Sequence, residues 1–125
     1  VIYEKYGLRV TAIRTEHIAP DVPSFAYLLE TDDGKRVLFT GDLSYDFHDF
    51  PKIAFETEKP FDLIVSELTH LSADKAKNVL VNAKMRLMIF SHVTPDHNLV
   101  LLEREKIRFP FVHIVACDGF EYFVV

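Results

Sequence analysis

The stretch VLFTGDLSYD, residues 37–46, places an acidic side chain at the end of an apolar run. Four apolar or β-favouring residues run directly into Gly41-Asp42 and then into a polar loop. This order predicts a buried strand that ends at an acidic side chain. A carboxylate in that position is costly unless it binds something, or unless it caps the turn that follows. Asp42 is therefore a candidate ligand, with turn capping as the alternative.

The segments on either side extend this strand into a layered pattern. SFAYLLET (24–31) and KRVLFT (35–40), separated by Asp32-Asp33-Gly34, predict a β-hairpin with a two-residue Asp-Gly turn. Further strands are predicted at residues 8–16, 62–67, 86–92 and 111–116, the last paired in a hairpin with 120–125. Helices are predicted from Ser72 to Ala83, from Thr94 to about Glu105, and briefly within 46–58. The fold class is α/β, a sheet with helices on at least one face.

Composition bounds the possible functions. With 125 residues, of which 49% are hydrophobic, the chain is long enough to form one domain with its own core. A net charge of −5 without a Lys/Arg cluster argues against nucleic acid held by phosphate contacts. The single cysteine, Cys117, fits a reducing compartment, and nothing predicts a membrane span or an export leader. The cytoplasm is the expected location.

Polar side chains follow several of the predicted strands. Asp42, the Glu67/His70 pair and His92 each come at the end of a buried run, and His17 joins them if residues 8–16 lie in the same sheet. In layered α/β folds, loops converge at the carboxyl ends of the strands, so sites gather there. The sequence therefore predicts a metal or proton-transfer site at this edge.

Each of these residues also has a structural interpretation. Taken alone, His92 at a strand end fits a core histidine that donates to a backbone carbonyl better than a ligand, and His70 and His97 fit solvated residues that flank helices. We interpret His48 and His113 as structural, with His113 on the solvent face of its strand. Single residues therefore do not establish a site, and the order and spacing of these residues along the chain are the stronger indication.

That order resembles the second half of the metallo-β-lactamase superfamily of metal-dependent hydrolases. The resemblance runs from about Leu8 to the end through His17, PSFAYLLETDDGKRVLFTGD, DLIVSELTH, MIFSHVTP and VACDGFEYFVV. It implies half of an αβ/βα sandwich, a mixed sheet with helices on one face. HIAPDVPSFAYLLE is similar to the branch with ribonuclease Z and phosphodiesterases, which implies a small anionic substrate such as a phosphoester, attacked by metal-activated water.

The resemblance also implies roles for individual residues. Asp42 would bridge two divalent metal ions and His92 would bind one of them, while His17, Glu67 and His70 would be catalytic or substrate-side residues. Zinc is the implied metal, with manganese and iron as alternatives. Aspartate suits a bridge because its two oxygens can serve two cations, and imidazole suits the outer positions because it is neutral.

The His-x-His-x-Asp-His cluster of the family is absent from this sequence. Residues 1–125 are therefore expected to form a single domain, the C-terminal half of the fold, and to be catalytically incomplete alone. We expect either a missing N-terminal half-domain or self-association to cover the inner sheet face. That face is predicted to include Leu28, Leu38, Phe39, Ile64, Ile89 and Phe90.

Two alternatives to a hydrolase remain. The first is a non-catalytic assembly or interaction module that keeps the half-fold without its chemistry. The second is an unrelated α/β domain in which Asp42 and His92 are structural, and a structure that places these two residues far apart would favour it.

Overall fold

A computed structural model describes residues 1–103 and 107–125 of the chain. Its centre is one seven-stranded sheet whose spatial order follows the sequence. The strands are β1 (Tyr3–Lys5), β2 (Leu8–Ile18), β3 (Val22–Thr31), β4 (Arg36–Phe39), β5 (Leu63–Leu68), β6 (Met88–Val93) and β7 (His113–Val115). β1 to β4 pair antiparallel, and β4 to β7 pair parallel. The predicted α/β class with a mixed sheet is confirmed.

Short helical segments connect the parallel strands. They are α1 (Ile53–Glu56), α2 (Ala73–Leu80) and α3 (Val100–Glu103), the last preceded by a π-helical turn at Pro95–Leu99. Thr94 and Pro95 open this helical region as predicted, although the end of the predicted helix, Arg104–Glu105, lies outside the described residues. No helix among the described residues is both long and apolar enough to cross a membrane.

The bounds of β2 to β7 differ from the predicted ones by at most two residues, and three larger features were predicted wrongly. The connection between β3 and β4 has four residues rather than two, with Gly34 at φ +85°. Helix α2 ends at Leu80 instead of Ala83: the chain turns there, with the amide of Ala83 donating to the carbonyl of Leu80, and the amide of Lys84 then donates to the carbonyl of Ala54. The terminal hairpin does not form: β7 pairs only with β6 within the described residues, and 121–125 contain no strand.

The two faces of the sheet are unequal. The main core lies between one face and the helices, and it includes Leu28, Leu38, Ile64 and Phe90, each at most 5% exposed. The opposite face carries a smaller apolar cluster around Leu63, Leu87 and Ile89 and leaves Phe25, Tyr27 and Phe39 more than a third exposed. We call this second surface the open face.

The predicted composition of the inner face is therefore wrong for four of its six residues. Leu28, Leu38, Ile64 and Phe90 lie beneath the helices, and only Phe39 and Ile89 belong to the open face. The reason is the period of two along a strand: adjacent residues such as Leu38 and Phe39 point to opposite faces.

Candidate metal centre

The sheet brings the carboxyl ends of β2, β4, β5 and β6 to one edge, because these four strands run in the same direction. Asp42 follows β4 after Gly41, whose φ is +62°. A Cβ at position 41 would lie 3.1 Å from the carbonyl oxygen of Phe25, so glycine suits both the torsion and the close approach. The half-buried Asp42 carboxylate thereby reaches the edge where the other strands end.

Glu67 is the buried acid of the site, with 3% of its surface exposed near the end of β5. Its Oε1 accepts from the amide of Leu43 at 2.6 Å and from His70 Nδ1 at 2.7 Å. Its Oε2 accepts from the amides of Thr69 and His70 at 3.0 and 2.9 Å. Four donors thus occupy the carboxylate, and its main effect is to fix the ring of His70 with Nε2 as the free nitrogen.

His17 is held in a similar way from β2. Its Nδ1 donates to the carbonyl of Leu43 at 2.9 Å, and its Nε2 lies 3.9 Å from Asp42 Oδ2. The backbone of Leu43 therefore links the two histidines. Its carbonyl accepts from His17, and its amide donates to the same Glu67 oxygen that accepts from His70. The rings of His17 and His70 lie 4.4 Å apart between centroids.

His92 completes the cluster from β6. Its Nδ1 lies 2.9 Å from Asp42 Oδ1 and donates, because a carboxylate can only accept. Its ring centroid is 6.0 Å from that of His70. Asp42 and His92 are thus in contact although fifty positions separate them, so the separation that would favour the unrelated-domain alternative is not observed.

The structure therefore brings all five predicted site residues together: His17, Asp42, Glu67, His70 and His92. One ligand atom from each of Asp42, Glu67 and His70 lies within 4.8 Å of the others, so the described residues contain a group that could hold a metal ion. Carboxylate and imidazole donors suit zinc, manganese and iron alike. Since Glu67 is already saturated, Asp42 and the imidazole nitrogens are the donors that fit a divalent ion best.

One polar network near the site was not predicted. His48, interpreted from sequence as structural, bridges Glu16 Oε2 at 2.7 Å and Asp46 Oδ1 at 2.5 Å. Hydrogen bonds to Glu16 and then to Asp46 raise the pKa of His48 to about 9, and the same ring holds the pKa of Asp46 at about 2. Asp49 adds bonds to the amides of Glu16 and Ser44. The i, i+2 spacing of Asp46 and His48 was the available signal.

The remaining histidines lie outside the cluster. His97 is exposed on the π-helical turn, as expected for a solvated residue. His113 is only partly exposed, and its ring contacts Phe90 and Phe109 edge-on at centroid distances of 5.9 and 5.1 Å. The expectation that His113 lies on the solvent face is therefore wrong, because its side chain packs with the aromatic residues of the core.

Solved structures share this arrangement of elements. YhfI from Bacillus subtilis, a metallo-β-lactamase fold protein, superposes with a TM-score of 0.66 at 21% identity over 91% of this chain and 49% of its own. The chain has a metallo-β-lactamase fold. A Thermotoga maritima protein assigned as a Zn-dependent hydrolase of the metallo-β-lactamase superfamily superposes with a TM-score of 0.58 at 18% identity. The match covers 90% of this chain and 67% of that protein.

A Parabacteroides distasonis protein assigned as a metal-dependent hydrolase gives a TM-score of 0.58 at 12% identity, over 86% of this chain and 50% of its own. This chain with a metallo-β-lactamase fold thus spans about half the length of the first and third of these structures. No protein-family model matches the sequence, and no curated protein matches it significantly.

Proposed function

We propose that this chain contributes one side of a metal-dependent hydrolase site that acts on a phosphoester or a similar small anionic substrate. The observation that carries the proposal is the meeting of His17, Asp42, His70 and His92 at one sheet edge, with the Nδ1 of each histidine donating to an oxygen acceptor. This leaves Nε2 as the free nitrogen of each ring. Structural caps and solvated histidines have no reason to converge in this way.

In this proposal Asp42 and His92 bind the metal, which would replace the hydrogen bond between them, and His17 and His70 face the substrate. A bound divalent ion would polarise the scissile bond and lower the pKa of a water molecule. The buried Glu67 holds His70 in one orientation, so its Nε2 can give or take a proton at a fixed place. An ion would also supply the positive charge that an anionic substrate needs beside a carboxylate. Zinc is the metal we propose.

Asp42 and His92 are too few ligands for a tight site, since zinc sites normally use three or four. We therefore propose that this chain is the C-terminal half of the hydrolase and that further ligands come from an N-terminal half seated on the open face. Two observations support this: the exposed aromatic residues there, and coverage of only about half of two similar structures. Self-association through the open face is the competing arrangement.

The test separates ligands from substrate-side residues in the intact protein. We expect Asp42→Ala and His92→Ala to lose bound Zn²⁺ in calorimetric titration. His17→Ala and His70→Ala should keep the metal and lose at least about a hundredfold in turnover of bis(p-nitrophenyl) phosphate, the scale of lost acid–base catalysis. His97→Ala is the control, since His97 is exposed outside the cluster.

The second candidate function is a non-catalytic interaction module on the same half-fold. The exposed aromatic side chains of the open face favour it, because a docking surface needs apolar area and no metal. It predicts that Asp42→Ala and His92→Ala leave both metal content and turnover unchanged. That result would refute the hydrolase proposal.

A further inference from the structure

His92 has an unusual backbone. Its φ is +50°, in the left-handed region that residues other than glycine seldom adopt, although histidine enters it more often than most. Residues held in such conformations occur where the surrounding structure fixes them, often at functional sites.

The cause lies in the pairing of β5 with β6. Glu67 pairs with Ser91, and Leu68 pairs with Val93, so His92 is an extra residue in the ladder, a β-bulge. In a regular strand Ser91 and His92 would point to opposite faces. With the bulge, both line one groove of about 200 Å³ together with Asp42. The bulge thus turns the imidazole of His92 toward the site.

A bulged residue leaves its carbonyl outside the ladder, and here the hydroxyl of Thr69 donates to the carbonyl oxygen of His92. Thr69 is itself fixed, because its amide donates to Glu67 Oε2 at 3.0 Å. The buried acid that orients His70 therefore also anchors the residue that holds His92. Thr69 approaches neither Asp42 nor a ring nitrogen within hydrogen-bond distance among the described contacts.

We propose that Thr69 is a positioning residue: its hydroxyl holds His92 in the left-handed conformation and so keeps the imidazole on Asp42. The bond offsets a backbone cost of similar size, so its loss frees residue 92 to return to an extended conformation. The consequence for metal binding rests on the proposed function, whereas the geometry does not.

The test compares crystal structures of the intact protein with Thr69→Val, Thr69→Ser and Thr94→Val. In Thr69→Val we expect His92 to adopt a negative φ and its Nδ1 to leave Asp42, while Thr69→Ser keeps both features. Thr94→Val is the matched control, because Thr94 donates to the carbonyl of Thr69 at 3.3 Å and not to His92. A Thr69→Val structure with His92 unchanged on Asp42 would overturn the proposal.

Cobalt binding supplies a second readout. If Asp42 and His92 bind metal, Thr69→Val should weaken Co²⁺ affinity about tenfold and alter its visible absorption, and Thr69→Ser should restore both. If His92→Ala binds Co²⁺ as tightly as the wild type, the proposed ligand set is refuted. The crystal structures would still decide the role of Thr69. Co²⁺ binding that needs His92 but ignores Thr69→Val would refute the positioning role alone.

Discussion

At the scale of single residues, the site depends on one buried carboxylate with four donors. Glu67 accepts from Leu43, Thr69 and twice from His70, and thereby links the loop after β4 to the loop after β5. A buried group with this many partners has no spare capacity. Its spacing from His70 is visible in the sequence, but its bonds to backbone amides are not.

Glu67→Gln should therefore destabilise the protein without changing its shape. The amide has one acceptor oxygen, so its NH₂ group must face donors that the carboxylate now satisfies, at a cost of about 1–3 kcal/mol. Urea denaturation measures the loss, with the exposed Glu58→Gln as control. An unfolding free energy within about 0.5 kcal/mol of the wild type, the range of neutral surface changes, would show that these bonds contribute little.

At the scale of elements, the loop that carries Asp42 is fastened to β2. His48 reaches Glu16 on β2, and Asp49 accepts from the amides of Glu16 and Ser44. These bonds join the loop to the strand that carries His17. The relative placement of Asp42 and His17 therefore depends on contacts between two elements that are not adjacent in the sheet.

The His48 contact should make stability depend on pH. The folded pKa is raised from 6.5 to about 9, so the stabilisation is complete below pH 6.5 and is lost as the pH rises through about 9. We expect the melting temperature of the wild type to exceed that of His48→Gln at pH 6, with the difference disappearing by about pH 10. The exposed His97→Gln serves as control. A difference that does not change with pH would contradict this assignment.

At the scale of the whole molecule, the sheet is covered by helices on one face only. Tyr27 and Phe39 pair across β3 and β4 on the open face, and each is 39% exposed beside the groove that contains Asp42. Contiguous exposed apolar surface is what a second layer would need in order to pack here. The proposed N-terminal half would bury them and bring its ligands to the same groove.

Hydroxyl-radical footprinting of the intact protein tests that arrangement. If a second half covers the open face, burial removes Tyr27 and Phe39 from solvent. Their oxidation rates in the intact protein should then be at least about threefold lower than in residues 1–125 expressed alone. Tyr45, which is 77% exposed beside His70, reports on the other side of the site. Equal rates in the two proteins, with each monomeric by light scattering, would exclude both a covering half and self-association.

Local sequence patterns were enough to locate β2 to β7 to within two residues at each end, together with the polar residues that follow them, but not β1. Apolar runs that stop near Asp42, Glu67 and His92 predict both, because a buried strand gives way to polar residues where the chain returns to solvent. Other features depended on the tertiary structure. They are the sheet face that Leu28 and Phe90 occupy, the bulged pairing of β5 with β6, and the absence of a strand in residues 121–125. The left-handed His92 and the Glu16–His48–Asp46 network also depended on it. These features arise from contacts between residues distant in the chain, and a local pattern carries no information about such contacts.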